Sequence, residues 1–192
     1  MPERKGCYAD NPLMARKAAL YCAGMTDNRV PPPFIGDERA MLNNWLDWHR
    51  GTLAVKCAGL SEEQLRERSA PPSSMSLLGL VRHMAHVEQV WFRVILDGED
   101  VPRLWGKDVA PNADFDDVDG ASAEEAFATW QAEIERAREI SAGVPLDAVG
   151  KRQRHGQDCS HRWILVHMIE EYARHNGHAD LLRERIDGAT GE

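Results

Sequence analysis

The chain has 192 residues, of which 43% are hydrophobic and 28% charged, and its formal net charge is -8. This size suits one globular domain with a substantial core. The sequence has no apolar run of the roughly 20 residues that a membrane-spanning helix needs, and its negative charge gives no general attraction to phosphate backbones. We therefore expect neither a membrane nor a nucleic acid as the partner of this protein.

The four cysteines lie too far apart to form any Cys-x-x-Cys pair. This spacing argues against a zinc ribbon and against a thioredoxin-type redox motif. Reduced thiols in a cytoplasmic protein fit the pattern best. We interpret Cys57 and Cys159 as buried, chemically inert residues.

Residues 1–33 differ in pattern from the rest of the chain. A short apolar run follows Arg16 and Lys17, and prolines occupy positions 31–33. The apolar run is too short for the core of a secretory signal. We expect residues 1–33 to form a flexible N-terminal extension and residues 34–192 to form the folded domain.

The first predicted helix starts after Asp37, a typical N-cap residue, and ends near Gly59. Its buried face is expected to contain residues that recur at three- and four-residue steps. They are Met41, Leu42, Trp45, His49 and Leu53. Ser61 and Gln64 form a capping-box pattern that predicts a short helical turn, and Pro71–Ser74 then breaks the chain.

The second predicted helix runs from about Ser76 to Leu96, and Gly98 supplies its C-terminal stop. Its apolar stripe consists of Leu77, Leu80, Met84, Val87, Trp91 and Val94. Residues 99–121 are predicted to form an acidic loop. We interpret its aspartates as a solvated surface: Asp114, Asp116, Asp117 and Asp119.

Two more helices complete the predicted domain. Ser122 and Glu125 form a second capping-box pattern, which opens a third helix ending near Gly143. Ser160 opens a fourth helix, which ends before Gly188. No segment has the sustained β-branched alternation of a strand. The predicted fold is an all-α, up-down four-helix bundle with short extra helical turns.

The fourth helix has ionisable residues in the middle of its apolar stripe. At about 100° per residue, Glu171 and His175 lie about 40° apart, and Ile164 and Leu182 share that sector. Burial of a carboxylate among apolar residues costs several kcal/mol unless a cation compensates it. A Glu and a His four residues apart project together, as two ligands of one metal ion would. A buried hydrogen bond between them is the alternative.

A third ligand is expected from a facing helix. On the second helix, His83 lies at the edge of the apolar stripe, whereas His86 lies on the opposite face, so His83 is the better inward candidate. On the first helix, His49 lies within the stripe and is either a further ligand or a hydrogen-bond partner of one. On the fourth helix, we interpret His178 as such a partner or a packing residue, and His167 as a core histidine.

Two segments resemble a known family. Residues 78–88 (LGLVRHMAHVE) and 167–184 (HMIEEYARHNGHADLLRE) are similar to the DinB-like superfamily of metal-binding four-helix bundles. Within it, they look most like the actinobacterial mini-circle proteins and the N-terminal domains of mycothiol-dependent maleylpyruvate isomerases. The resemblance covers about residues 35–190 and is strongest in the second and fourth helices.

The resemblance implies a single divalent metal ion held by His83, Glu171 and His175. The superfamily more often uses three histidines, and the His, Glu, His set is similar to the maleylpyruvate isomerase branch. Zinc is the first expectation for the metal, with nickel, iron and manganese as alternatives. The implied function is that of a thiol-dependent S-transferase or isomerase that acts on a small molecule, with mycothiol as its co-substrate.

The sequence leaves two other functions open: a hydrolase that activates water at the metal, and a non-catalytic, stress-related metal-binding protein. Three protein ligands leave a coordination position free, which favours the enzymes. A di-iron centre is not expected, because the chain has no Glu-x-x-His motif. Arg82 and Arg174 are candidate contacts for an anionic substrate. A homodimer is also expected, since bundles of this size often pair through a helix face.

Overall fold

A computed structural model describes residues 27, 29–105 and 112–191 of the chain. Six α-helices and no β-strand lie in these ranges. They are α1 (Glu38–Cys57), α2 (Glu62–Arg66), α3 (Leu77–Glu88), α4 (Ala113–Asp116), α5 (Ala123–Ala142) and α6 (His161–Asp187). The all-α helical bundle is confirmed. None of the described helices is long and apolar enough to cross a membrane.

Five of the six α-helices start where the sequence predicts them, after a capping side chain. Asp37 accepts the Ala40 N–H at 3.0 Å, and Ser61 forms the complete capping box with Gln64. The remaining caps each accept one backbone N–H at the start of α3, α5 or α6: Ser76, Ser122 and Ser160. Because each cap satisfies an N–H that has no partner within its helix, the helix boundaries follow from local sequence.

The long helices pack mainly in two pairs, α1 with α6 and α3 with α5, and α6 also contacts α3. One apolar core fills the space between them, with Leu53, Met84, Trp130 and Ile164 among its fully buried side chains. This arrangement places the inward faces of α3 and α6 side by side, so residues from both helices can form one site.

The second predicted helix changes its geometry halfway. After Glu88 the chain continues as a π-helical segment, Gln89–Leu96, before it ends at Gly98, whose φ is 75°. The helix thus has the predicted extent, but its second part is π-helical. A π-helical turn holds more residues than an α-helical turn, so side chains beyond Glu88 are rotated relative to an α-helical projection.

A close contact at Gly79 joins α4 to α3. A Cβ atom at Gly79 would lie 2.9 Å from the Phe115 side chain and 3.4 Å from the Phe115 Cα. Glycine thus permits the short helix to lie directly on α3. The predicted acidic loop is consequently interrupted by a packed helical turn whose first residues, Ala113 and Asp114, are buried.

Most of the predicted N-terminal extension, including Cys7 and Cys22, lies outside the described residues. The described Arg29 contacts α1: its guanidinium carbon lies 4.5 Å from the centre of a Trp48 ring, and it donates a hydrogen bond to the Thr52 hydroxyl at 2.9 Å. This part of the segment therefore packs against the bundle.

Candidate metal centre

A cavity of about 930 Å³ lies between α3, the π-helical segment, α4 and α6. The residue 154–159 segment forms part of its wall. Two of the three predicted metal ligands, His83 and Glu171, line it. The candidate site thus adjoins a space large enough for a small molecule.

The structure brings all three predicted ligands together. One donor atom from each of His83, Glu171 and His175 lies within 4.8 Å of the others. The His175 Nε2 lies 3.5 Å from a Glu171 carboxylate oxygen, and the His83 and His175 ring centres are 4.8 Å apart. His175 is buried and the other two are partly buried. Two helices thus contribute one compact group of potential donors, and its binding of a metal stays a prediction.

Asp114 holds the His83 ring, a contact that the sequence analysis missed. Its Oδ2 lies 2.7 Å from the His83 Nδ1. Burial opposes ionisation of Asp114, but the hydrogen bond and charge of His83 outweigh it and lower the pKa of the carboxyl. The interpretation of Asp114 as a solvated loop residue is wrong, because the glycine contact draws α4 onto α3. No sequence signal separates it from the neighbouring exposed Asp116.

His178 contacts the imidazole of His175, the second histidine of the predicted donor set. Its Nδ1 lies 3.3 Å from the Nδ1 of His175, at the distance of a hydrogen bond. Burial and the neighbouring His175 lower the pKa of His178, so it is neutral near pH 7 and can accept the His175 N–H. His178 therefore lies within hydrogen-bond distance of His175, and its role as a partner of a metal ligand stays a prediction.

His49 lies close to the site without contacting a predicted ligand among the described contacts. Asn176 donates a hydrogen bond to the His49 carbonyl at 3.0 Å, and the amide nitrogen also lies 3.4 Å from the His49 Nδ1. The imidazole packs against Trp45. The His49 carbonyl therefore holds the side chain of Asn176, the residue that follows His175. It does not hold the His175 imidazole.

The donor set suits a divalent ion. Because the Nδ1 atoms of His83 and His175 contact Asp114 and His178, the Nε2 atoms are left to face the shared space. Glu171 supplies a carboxylate whose pKa is lowered by the His175 hydrogen bond and, against the effect of burial, by the nearby imidazoles. Two oriented imidazoles and one carboxylate are common ligands of zinc and related metals.

A competing grouping involves His167. Its Nε2 lies 3.3 Å from Glu171, and its Nδ1 lies 3.4 Å from Glu170. His167 is therefore not the core histidine that the sequence suggested, because it lines the cavity. Glu170 is half-exposed and pairs with Arg174, as predicted, so the set formed with Glu170 is the weaker candidate for a metal.

Two other ionisable residues, His86 and Arg82, lie in positions that the sequence did not predict. His86 lines the same cavity, where burial and the charge of Arg103 lower its pKa to about 4. The face of the helix that carries His86 was predicted to be exposed, but loops cover it. Helical periodicity does not predict where loops lie. Arg82 stacks on Trp105 and donates to the Ala113 carbonyl, so it anchors α4 instead of lining the cavity.

The cavity also contains one of the two described cysteines. Both Cys57 and Cys159 are buried, as predicted. Cys159 lines the cavity, and burial together with the charge of Asp158 raises the pKa of its thiol. It is therefore protonated near neutral pH, which disfavours it as a nucleophile.

We expect the Asp114→Asn variant to bind a divalent metal roughly 10- to 100-fold more weakly than the wild type, because loss of a partner of a ligating histidine typically has this effect. Asp116→Asn, which changes an exposed aspartate of the same short helix, is the matched control. Competition with a fluorescent chelator measures both affinities. Equal affinities in the two variants would show that Asp114 has no part in the site.

One of the comparisons with known proteins gives a match. A family model described as Mycothiol-S-transferase matches residues 41–188, a range that includes every residue of the candidate metal centre. Comparison with curated proteins gives no match, and comparison with solved structures gives none either. Since the family model covers more than half of the chain, the protein belongs to the mycothiol-S-transferase family of the DinB-like superfamily.

Proposed function

We propose that this protein is a divalent-metal-dependent S-transferase that joins the sulfur of mycothiol to a small electrophile. The observation that carries the proposal is the convergence of His83, Glu171 and His175 beside a cavity, with both imidazoles held through their Nδ1 atoms. We choose mycothiol as the thiol because the chain belongs to the mycothiol-S-transferase family. Zinc is the metal we propose, with nickel, iron or manganese as alternatives.

The three donors carry a single negative charge, from Glu171. A divalent ion held by these three residues would supply the positive charge that lowers the pKa of a thiol toward neutral pH. Asp114 and His178 fix the imidazole orientations before any ligand binds. This preorganisation means that the site needs little rearrangement to receive the thiol.

The chemistry that we propose is a substitution at carbon. The thiol proton passes to water, the sulfur forms a bond to the electrophilic carbon, and the leaving group departs with the electron pair of its former bond. Trp91 and Trp163 offer ring surfaces to the electrophile beside the donor set.

The test is a transfer assay with monochlorobimane, which becomes fluorescent when a thiol displaces its chloride. Zinc-loaded protein with mycothiol is expected to form the conjugate faster than mycothiol alone, and a chelator is expected to remove the difference. A rate no higher than the protein-free rate with any of the four metals would contradict the proposal. Turnover of an amide or thioester without added thiol would instead indicate a hydrolase.

A further inference from the structure

Part of the cavity wall, here called its basic end, carries two arginines. Arg103 and Arg154 both line it, although the chain as a whole has a net charge of -8. The charges of these two arginines act on the cavity, since both contribute to the lowered pKa of His86. A concentration of positive charge inside an acidic protein indicates a place for an anionic group.

The segment that contains Arg154 is a fixed turn. Arg154 and Gln157 exchange two backbone hydrogen bonds, at 2.9 and 3.0 Å. The start of the turn is joined to the π-helical segment, because the Arg152 N–H donates to the Ile95 carbonyl at 3.1 Å. A Cβ atom at Gly150 would lie 2.7 Å from that carbonyl oxygen, so glycine permits this approach. The turn therefore holds Arg154 beside the cavity.

Aromatic rings connect the basic end to the metal centre. The Arg154 guanidinium carbon lies 5.8 Å from the centre of a Trp91 ring, and the Trp91 and His167 ring centres are 4.6 Å apart. His167 in turn contacts Glu171 at 3.3 Å, and its ring stacks on Trp163. A molecule packed against Trp91 would extend from the side of His167 and Glu171 toward Arg154.

Arg154 has no carboxylate partner among the described residues. The carboxylates of the cavity have other contacts: Asp114 with His83, Glu171 with His175, and Asp158 with the Gln153 side chain at 2.9 Å. The Arg154 side chain is exposed and its charge is available to a ligand. Guanidinium groups bind carboxylates particularly well, because their paired N–H groups match the two oxygens.

We propose that the electrophile of this site is an aromatic carboxylate, whose ring packs against Trp91 and Trp163 and whose carboxylate pairs with Arg154. The inference rests on the proposed function only in assigning this ligand the role of electrophile. The binding preference itself is independent of turnover. The reacting carbon then lies at the end of the molecule opposite the carboxylate, on the side of Glu171.

The test uses two unreactive probes of similar shape, 4-methylbenzoate and 4-methylbenzamide, titrated calorimetrically into the full-length, metal-loaded protein. We expect the benzoate to bind roughly 10-fold or more tightly than the amide, as is typical of a hydrogen bond to a charged group. Arg154→Gln should remove this preference. Arg152→Gln is the matched control: it changes the same charge in the same turn, but its guanidinium contacts the Gly98 carbonyl and not the cavity.

Three results would overturn the inference. The wild type could bind benzoate and benzamide equally, both arginine variants could lose the preference for benzoate to the same extent, or the preference could survive Arg154→Gln. The last would place the anion elsewhere, for example at the metal. Because no thiol and no reaction are involved, the titration separates this inference from the proposed function. A protein without transferase activity can still prefer benzoate to benzamide. An active transferase that lacks this preference acts on uncharged electrophiles.

Discussion

The Glu171→Gln variant is expected to lose most of its metal-dependent transfer activity, with kcat/KM falling by roughly 100-fold or more. Glutamine keeps the size of the side chain but removes the only carboxylate of the predicted donor set. Loss of a ligand should exceed the roughly 10- to 100-fold effect of losing a ligand's partner. The bimane conjugation assay at saturating metal measures the change.

Glu170→Gln is the matched control for this prediction. Glu170 is the preceding residue of α6, but it forms an ion pair with Arg174 on the surface. Its substitution should leave kcat/KM within about twofold of the wild-type value, since exposed pairs contribute little. A large loss in both variants would favour the grouping of His167 with Glu170 and Glu171. A loss confined to Glu170→Gln would refute the assignment of Glu171.

The largest effect on stability is expected from Glu88→Ala. Glu88 is fully buried, and its two carboxylate oxygens accept hydrogen bonds from Arg50 at 2.8 and 2.7 Å. The Tyr172 hydroxyl also donates to it at 2.8 Å. Burial alone would lower the pKa of Arg50, but the charge and hydrogen bonds of Glu88 raise it, so the guanidinium stays charged inside the bundle.

Removal of Glu88 leaves that buried charge without its main partner, which typically costs about 3–5 kcal/mol in the free energy of unfolding. Glu88→Gln should cost less, because it retains an acceptor for Tyr172. Glu38→Ala removes an exposed partner of Arg162 and should cost about 1 kcal/mol or less. Urea denaturation measures all three variants, and equal losses in Glu88→Ala and Glu38→Ala would contradict the account of the buried network.

This network also bears on the site. Tyr172 directly follows Glu171 in α6, and its hydroxyl accepts a hydrogen bond from the Trp130 indole at 2.8 Å. Helices α3, α5 and α6 are therefore joined by polar contacts at the level of the metal centre. We infer that these contacts fix the rotation of α6 and so the direction in which Glu171 and His175 project.

Local sequence predicts much of the fold and the central residues of the site. The caps at Asp37 and Ser160 satisfy backbone groups next to them in the chain, so they can be identified without tertiary information. Glu171 and His175 share one turn of one helix, and their place in an apolar stripe is a matter of periodicity. The homodimer, the cytoplasmic location and the identity of the metal stay predictions.

The parts that sequence did not predict depend on contacts between distant segments. Asp114 reaches His83 because Gly79 allows close packing across 31 residues of chain. His86 faces the cavity because the turn around Arg154 covers that side of the helix. Helical periodicity shows on which face of its helix a residue lies. It does not show which loop covers that face.

The central claim is that His83, Glu171 and His175 hold one divalent metal ion. Elemental analysis by plasma mass spectrometry, after loading and removal of free metal, tests it on the wild type and on the alanine variant of each residue. His155→Ala, a change at an exposed histidine of the cavity wall, is the control. We predict about one equivalent of metal in the wild type and the control and a large loss in the three variants. A wild type without metal, or three variants that retain it, would contradict the account.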